Sequence, residues 1–192
     1  MLLTSLFLSA MLLPSAPKPQ PFSAGTDLTI EMGYFDGMRY TPDGIRLGIG
    51  MLTQRQGKRR WNYEINYVDG KEYCHHNNDY CGDNWSIYGF GGVNYDFPIS
   101  ADRKFFASLT GGFFLGFSSY DQYYWYYDDD YYDDDDLVIM GGVMGKAALH
   151  YEFDSFRLGV GLMAGIGPSI GSESGLEMYN PFNLYFSFHW MF

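Results

Sequence analysis

Residues 182–192 read Phe-Asn-Leu-Tyr-Phe-Ser-Phe-His-Trp-Met-Phe. Phe182, Leu184, Phe186, Phe188, Trp190 and Phe192 alternate with Asn183, Tyr185, Ser187, His189 and Met191. Successive strand side chains face opposite sides, so this stretch is a strand with one large, uncharged apolar face. Carried back toward the start, the same test finds seven more segments. Leu28, Ile30, Met32 and Tyr34 alternate with Thr29, Glu31 and Gly33. Ile45, Leu47, Ile49 and Met51 alternate with Arg46, Gly48 and Gly50, and Trp61, Tyr63, Ile65 and Tyr67 with Asn62, Glu64 and Asn66. Further on, Phe105, Ala107, Leu109, Phe113, Leu115 and Phe117 oppose Ser108, Thr110, Gly112 and Gly116. Leu137, Ile139, Val143, Ala147, Leu149 and Tyr151 oppose Gly142, Lys146, His150 and Glu152, and Leu158, Val160, Leu162, Ala164 and Ile166 oppose mostly glycine. The fourth segment, near residues 85–97, is out of step: Trp85, Ile87, Val93, Tyr95 and Phe97 share a phase that Tyr88 and Phe90 do not. A bulge near Gly91-Gly92 would repair it, and the phase stays open.

Eight such segments suit tilted membrane strands, which need ~9–11 residues each. The connections near 53–59, 98–103 and 153–156 are short, whereas 36–44, 70–84, 119–136 and 168–181 are longer and polar. The expectation is an all-β fold: an eight-stranded antiparallel up-and-down transmembrane β-barrel with both ends on the short-turn side. A soluble eight-stranded barrel would place its apolar residues inside. So narrow a barrel has interior room only for side chains, so the Gly, Ser, Thr and Asn set fits the lumen and the bulky aromatic set must face lipid. Closure also satisfies every backbone group that lipid cannot hydrate. Residues 1–16, MLLTSLFLSAMLLPSA, are uncharged and mostly apolar, as in a secretory signal. Residues 1–24 are therefore expected to be a signal peptide, with its cleavage site open, and 25–192 the barrel.

The formal net charge of −11 argues against a nucleic-acid partner. The charge is also sorted by end. The four long connections hold 15 acidic and two basic residues, whereas Arg55, Lys58, Arg59, Arg60, Arg103, Lys104 and Arg157 flank the short turns.

The alternating aromatic stretch 183–192, ending in Phe192, resembles the assembly signal of bacterial outer-membrane proteins. Residues 25–192 as a whole resemble the small eight-stranded barrels of the OmpA-transmembrane, OmpX/Ail and opacity-protein type. Tyr88-Gly89-Phe90-Gly91-Gly92-Val93-Asn94-Tyr95 is similar to Gly-rich strands of that group. The resemblance implies a Gram-negative outer-membrane location, with the four long loops extracellular. It implies contact with membrane lipid and lipopolysaccharide, and recognition of Phe186, Phe188, Trp190 and Phe192 by the barrel-assembly machinery.

Within the expected lumen, Glu31, Arg46, Glu64 and Lys146 must pair, because an isolated buried charge costs several kcal/mol. They are expected to form a structural ion-pair network. The sharper alternative is a gate in which Lys146 exchanges between Glu31 and Glu64. Cys74 and Cys81 are expected to form a loop disulfide in an oxidising compartment. A metal held by CHHNNDYC is the alternative, although its cysteine spacing exceeds the usual two to four residues. Residues 120–136, YDQYYWYYDDDYYDDDD, carry eight Asp and seven Tyr. Asp128, Asp129, Asp130, Asp133, Asp134, Asp135 and Asp136 form a candidate divalent-cation or partner-binding loop. Clustered carboxylates suit weakly bound calcium, and tyrosines with aspartates suit a host or cationic surface protein. No other cofactor is expected. An enzyme acting on lipid A would need His75, His76 or His189 beside a nucleophile, and no such pair stands at a recognisable spacing. The primary reading is a non-enzymatic surface barrel with a structural or adhesive role, with a narrow passive pore and a lipid A-modifying enzyme as alternatives.

Overall fold

The structure is a computed structural model and describes residues 25–36, 44–53, 59–73, 80–123, 133–171 and 175–192. The expected signal peptide lies outside them. The strands are β1 (Asp27–Asp36), β2 (Gly44–Leu52), β3 (Arg59–Tyr73), β4 (Tyr80–Pro98), β5 (Phe105–Tyr123), β6 (Asp133–Glu152), β7 (Phe156–Gly171), β8 (Gly175–Tyr179) and β9 (Phe182–Met191). β1 to β7 pair antiparallel in sequence order, and β9 pairs with both β7 and β1, which closes the sheet. β8 and β9 are one stave with a break. Gly167↔Tyr179 and Ala164↔Phe182 keep a single register across it. The break falls at Pro181, which has no N–H for the ladder, although its carbonyl still accepts from the Gly165 N–H at 3.0 Å. The fold is therefore an eight-stave closed antiparallel barrel.

Followed through paired residues, Asp27 leads via Leu52, Asn62, Gly92, Gly112 and Met144 to Gly165, which lies beside Pro181. Since Asp36 meets Phe182, the circuit returns to β1 about ten residues above its start, the stagger that tilts the strands. The outward residues are apolar on every stave, with Ile65, Phe113, Leu115 and Phe186 each about two-thirds exposed or more.

Two expectations about the strands need correction. First, β4 pairs with β3 from Arg59↔Tyr95 to Lys71↔Asp83 without interruption, and the one irregularity falls at Lys71/Tyr73. No bulge interrupts Gly91-Gly92. Tyr88 and Phe90 point inward and are fully buried. Glycines opposite make the room: a methyl on Gly116 would lie 2.4 Å from the Tyr88 Cβ. Second, strand continues through much of the connections 70–84, 119–136 and 168–181. β3 reaches Tyr73, β4 starts at Tyr80, β5 reaches Tyr123 and β6 starts at Asp133. β7 and β8 likewise form a hairpin inside 168–181. Period-two apolar alternation marks a strand only where one face meets lipid. Beyond the span both faces are wet, and the ladder continues without that signal.

Two of the short turns are described. Phe153 N–H donates to Phe156 O at 2.8 Å around Asp154-Ser155. In the other, Ile99 N–H donates to Phe105 O at 2.8 Å and Arg103 adopts φ 58°. The Asp102 carboxylate ties that turn together, accepting from Ser100 Oγ at 2.5 Å and Lys104 N at 3.1 Å. The Ser100 bond, then the Lys104 backbone bond, holds its carboxyl below the usual carboxylate range.

Candidate functional site

β1, β2, β3 and β6 each contribute one ion to the centre of the lumen. Arg46 Nη2 donates to Glu31 Oε2 at 2.5 Å, and Lys146 Nζ donates to Glu31 Oε2 at 2.7 Å and to Glu64 at 2.5 Å. Lys146 thus engages both carboxylates at once. Arg46 Nη1 lies 3.9 Å from Glu64 and donates to Asn66 Oδ1 at 2.5 Å, and its Nε donates to Asn183 Oδ1 at 3.2 Å. Asn62 Nδ2 donates to Glu64 Oε1 at 2.7 Å, and Asn183 Nδ2 donates to Tyr34 O. All four ions are buried. Aromatic rings cover the cations, with Arg46 5.1 Å from the Tyr185 ring and Lys146 5.4 Å from that of Phe90.

Toward the loop end the lumen turns apolar. Val68, Tyr88, Phe90, Phe114, Met140, Met144, Met163 and Tyr185 form a buried cluster there, with Tyr88 edge-on to Phe114 at 6.2 Å. This corrects the expectation of a lumen filled by small and polar residues alone. Glycines thin one wall of a narrow barrel, and large side chains from the facing wall fill the space.

Toward the turn end the lumen is polar. Arg60 donates to Asp27 at 2.5 Å and to Thr53 O at 2.9 Å, and Arg157 pairs with Glu152 at 2.6 Å and with Asp96 at 3.3 Å. Ser108 Oγ lies 2.8 Å from His150 Nε2, and the His150 ring meets that of His189 edge-on at 4.8 Å. Sequence reasoning missed this serine–histidine pair, because its members sit 42 residues apart and only the register of β5 on β6 brings them together. The pair has the contact a nucleophile and base require. Both members are buried in the lumen. Among the described residues no cluster of three or more His, Cys, Asp or Glu side chains could hold a metal ion.

No protein-family model matches the chain, and no curated protein matches it in sequence. Solved structures do match in shape. Neisserial surface protein A superposes with a TM-score of 0.66 at 12% identity, over 90% of this chain and 100% of that one. The chain has the fold of the small eight-stranded outer-membrane barrels. Two looser likenesses carry no further argument. They are Ail of Yersinia pestis, solved with the heparin analogue sucrose octasulfate (TM-score 0.48, 10% identity, 88% and 99% coverage), and the N-terminal barrel domain of Pseudomonas aeruginosa OprF (0.42, 13%, 84% and 96%).

At the loop end of the barrel, β5 and β6 continue as a registered ribbon. Tyr120↔Asp136, Asp121↔Asp135, Gln122↔Asp134 and Tyr123↔Asp133 are paired. Asp133, Asp134, Asp135 and Asp136 are therefore strand residues rather than loop, while Asp128, Asp129 and Asp130 lie outside the described residues. So do Cys74 and the side chain of Cys81, and with them the expected disulfide. Phe186 and Trp190 on β9 and Phe192 just after it are exposed, and Phe188 is half-buried, its ring stacked 5.6 Å from that of Phe156.

Proposed function

We propose that the protein is a non-enzymatic surface barrel of a Gram-negative outer membrane, with a structural or adhesive role carried by its acidic, Tyr/Asp-rich loop end. One contrast supports this reading. The lumen is filled from within, by four bonded ions and an apolar cluster, whereas the segment 120–136, which includes the β5–β6 ribbon at the loop end, holds eight aspartates in its sequence. Chemistry or transport through so full a barrel has no path, so function belongs at the exposed end. In this reading the long connections face outward among lipopolysaccharide, and the basic short turns face the periplasm. The outer apolar belt contacts lipid, and the C-terminal aromatic strand is read by the barrel-assembly machinery.

Clustered carboxylates select a basic partner, such as a cationic host surface protein, and take calcium weakly where carboxylates crowd. The test is binding of the refolded barrel, in lipid nanodiscs, to an immobilised basic protein and to an acidic one. Changing all eight aspartates of residues 120–136 to asparagine should abolish retention on the basic surface and leave the barrel folded. Unchanged retention would remove the adhesive role. Mass spectrometry of lipid A from expressing cells should show no new species; a modified lipid A would replace this reading with the enzymatic one.

A further inference from the structure

At the turn end, one side of the barrel carries a continuous run of aromatic rings. Phe105 meets Tyr151 edge-on at 4.9 Å, and Tyr151 meets Phe153 edge-on at 4.8 Å. Phe153 stacks on Phe156 at 4.4 Å, and Phe156 on Phe188 at 5.6 Å. Five rings thus run from β5 across the β6–β7 turn to β9, and Phe105 and Phe153 remain 50% and 41% exposed. Rings at the end of a spanning strand sit where hydrocarbon gives way to lipid headgroups.

Beside the rings lies a notch of about 340 Å³, lined by Tyr151, Phe153 and Phe156 together with Lys104, Asp154 and Ser155. Glu152 also lines it, but its carboxylate is taken by Arg157 Nε at 2.6 Å. The nearby Asp102 carboxylate is likewise committed, to Ser100 and to the Lys104 backbone. Lys104 and Asp154 are exposed, and neither makes an ion pair among the described residues. On β3 and β4 the pattern differs, because the Arg59 guanidinium lies over the Tyr95 ring at 5.9 Å. Backbone bonds fix the walls of the notch. Glu152 N–H donates to Lys104 O at 2.7 Å, Phe153 N–H to Phe156 O at 2.8 Å, and Met191 N–H to Ser155 O at 3.1 Å. Opposite charges are therefore held ready on one rigid frame, against an aromatic wall.

We propose that this notch is a headgroup site for a phospholipid of the leaflet on the short-turn side, one that carries both a phosphate and a primary ammonium, as phosphatidylethanolamine does. The Lys104 ammonium donates to the phosphate oxygens, and the Asp154 carboxylate accepts from the ligand's ammonium. The acyl chains leave along the ring ladder. Charge chooses the occupant. A purely anionic headgroup would satisfy Lys104 and set its charge against Asp154, and a choline headgroup has no N–H for the carboxylate. The notch lies at the opposite end from the acidic loops, so its test is independent of theirs.

The test uses the full chain refolded in micelles, with amide shifts followed by NMR as phospholipids of one acyl composition are added. Phosphatidylethanolamine should give saturable shifts centred on Lys104 and residues 152–156. Its affinity should exceed that of phosphatidylcholine and of phosphatidylglycerol by about tenfold or more, as expected for one charge-assisted hydrogen bond. Lys104→Gln and Asp154→Asn should each weaken binding by about tenfold, and both lie at exposed positions where the rest of the spectrum should stay unchanged. Equal binding of phosphatidylglycerol would mean that the notch reads positive charge alone, and the proposal would be overturned. Unchanged binding in both variants, or shifts spread evenly around the barrel, would also overturn it, since ordinary lipid contact gives that result. Free phosphoethanolamine should bind far more weakly than the lipid; equal affinity would assign the notch to a soluble phosphate ester instead.

Discussion

Lys146 shows how little freedom the lumen leaves a single residue. Its ammonium bonds Glu31 and Glu64 together, so its removal sets two carboxylates against Arg46 alone. Breaking a buried ion network by deleting one partner costs about 3–5 kcal/mol. Lys146→Met should therefore lower unfolding stability in urea by about that amount, and adding Glu64→Gln should recover much of it. A loss below 1 kcal/mol would mean that the network contributes little. In the turn, Asp102 answers to pH. Its carboxyl is held below the usual range by Ser100 and by the Lys104 backbone. Its contribution to the turn is present above the unfolded-state carboxylate pKa and is lost as pH falls through the lower folded value. NMR titration should find Asp102 below an ordinary aspartate, and Ser100→Ala should move it upward. The charged lumen residues were legible in the sequence, because ions at inward positions of an alternating strand have nowhere else to point. Tyr88 and Phe90 were not, since their inward placement depends on space left by Gly116 and other glycines on neighbouring staves.

Strands differ in how much of their pairing the sequence announces. β9 and β1 to β3 alternate cleanly over the span, and their phase is plain from residues alone. β5 and β6 run past the span as a ribbon in which Asp121 faces Asp135 and Tyr120 faces Asp136, and no apolar alternation marks it. The β7–β8 hairpin is hidden for the same reason and is broken from β9 by Pro181. Its register makes an element-scale prediction. Gly165 N–H bonds to Pro181 O, and bonded pairs alternate along an antiparallel ladder, so Ser169↔Glu177 and Gly167↔Tyr179 are bonded pairs. In hydrogen exchange, the Glu177 and Tyr179 amides should be protected; exchange of both at the rate of free amides would mean that the hairpin does not form.

For the whole molecule, the question is whether anything passes through. Four ions cross-linked at 2.5–2.7 Å, capped by Phe90, Phe114, Met140 and Tyr185, leave no continuous polar path along the axis. Planar bilayers should therefore show no single-channel steps for the wild type. Lys146→Ala should show none either, since the large side chains of the apolar cluster stay in the lumen when the lysine is removed; conductance in either protein would restore the pore. The sequence by itself determined the barrel, its direction of alternation and the sorting of charge between its ends. Each of these follows from period two and from what lipid excludes, both local properties of a strand. Only the tertiary structure decided that Lys146 bridges both glutamates, that Ser108 meets His150 and that aromatics seal the loop half of the lumen. These depend on register and stagger, which bring together residues tens of positions apart, and no single strand encodes its neighbour's offset.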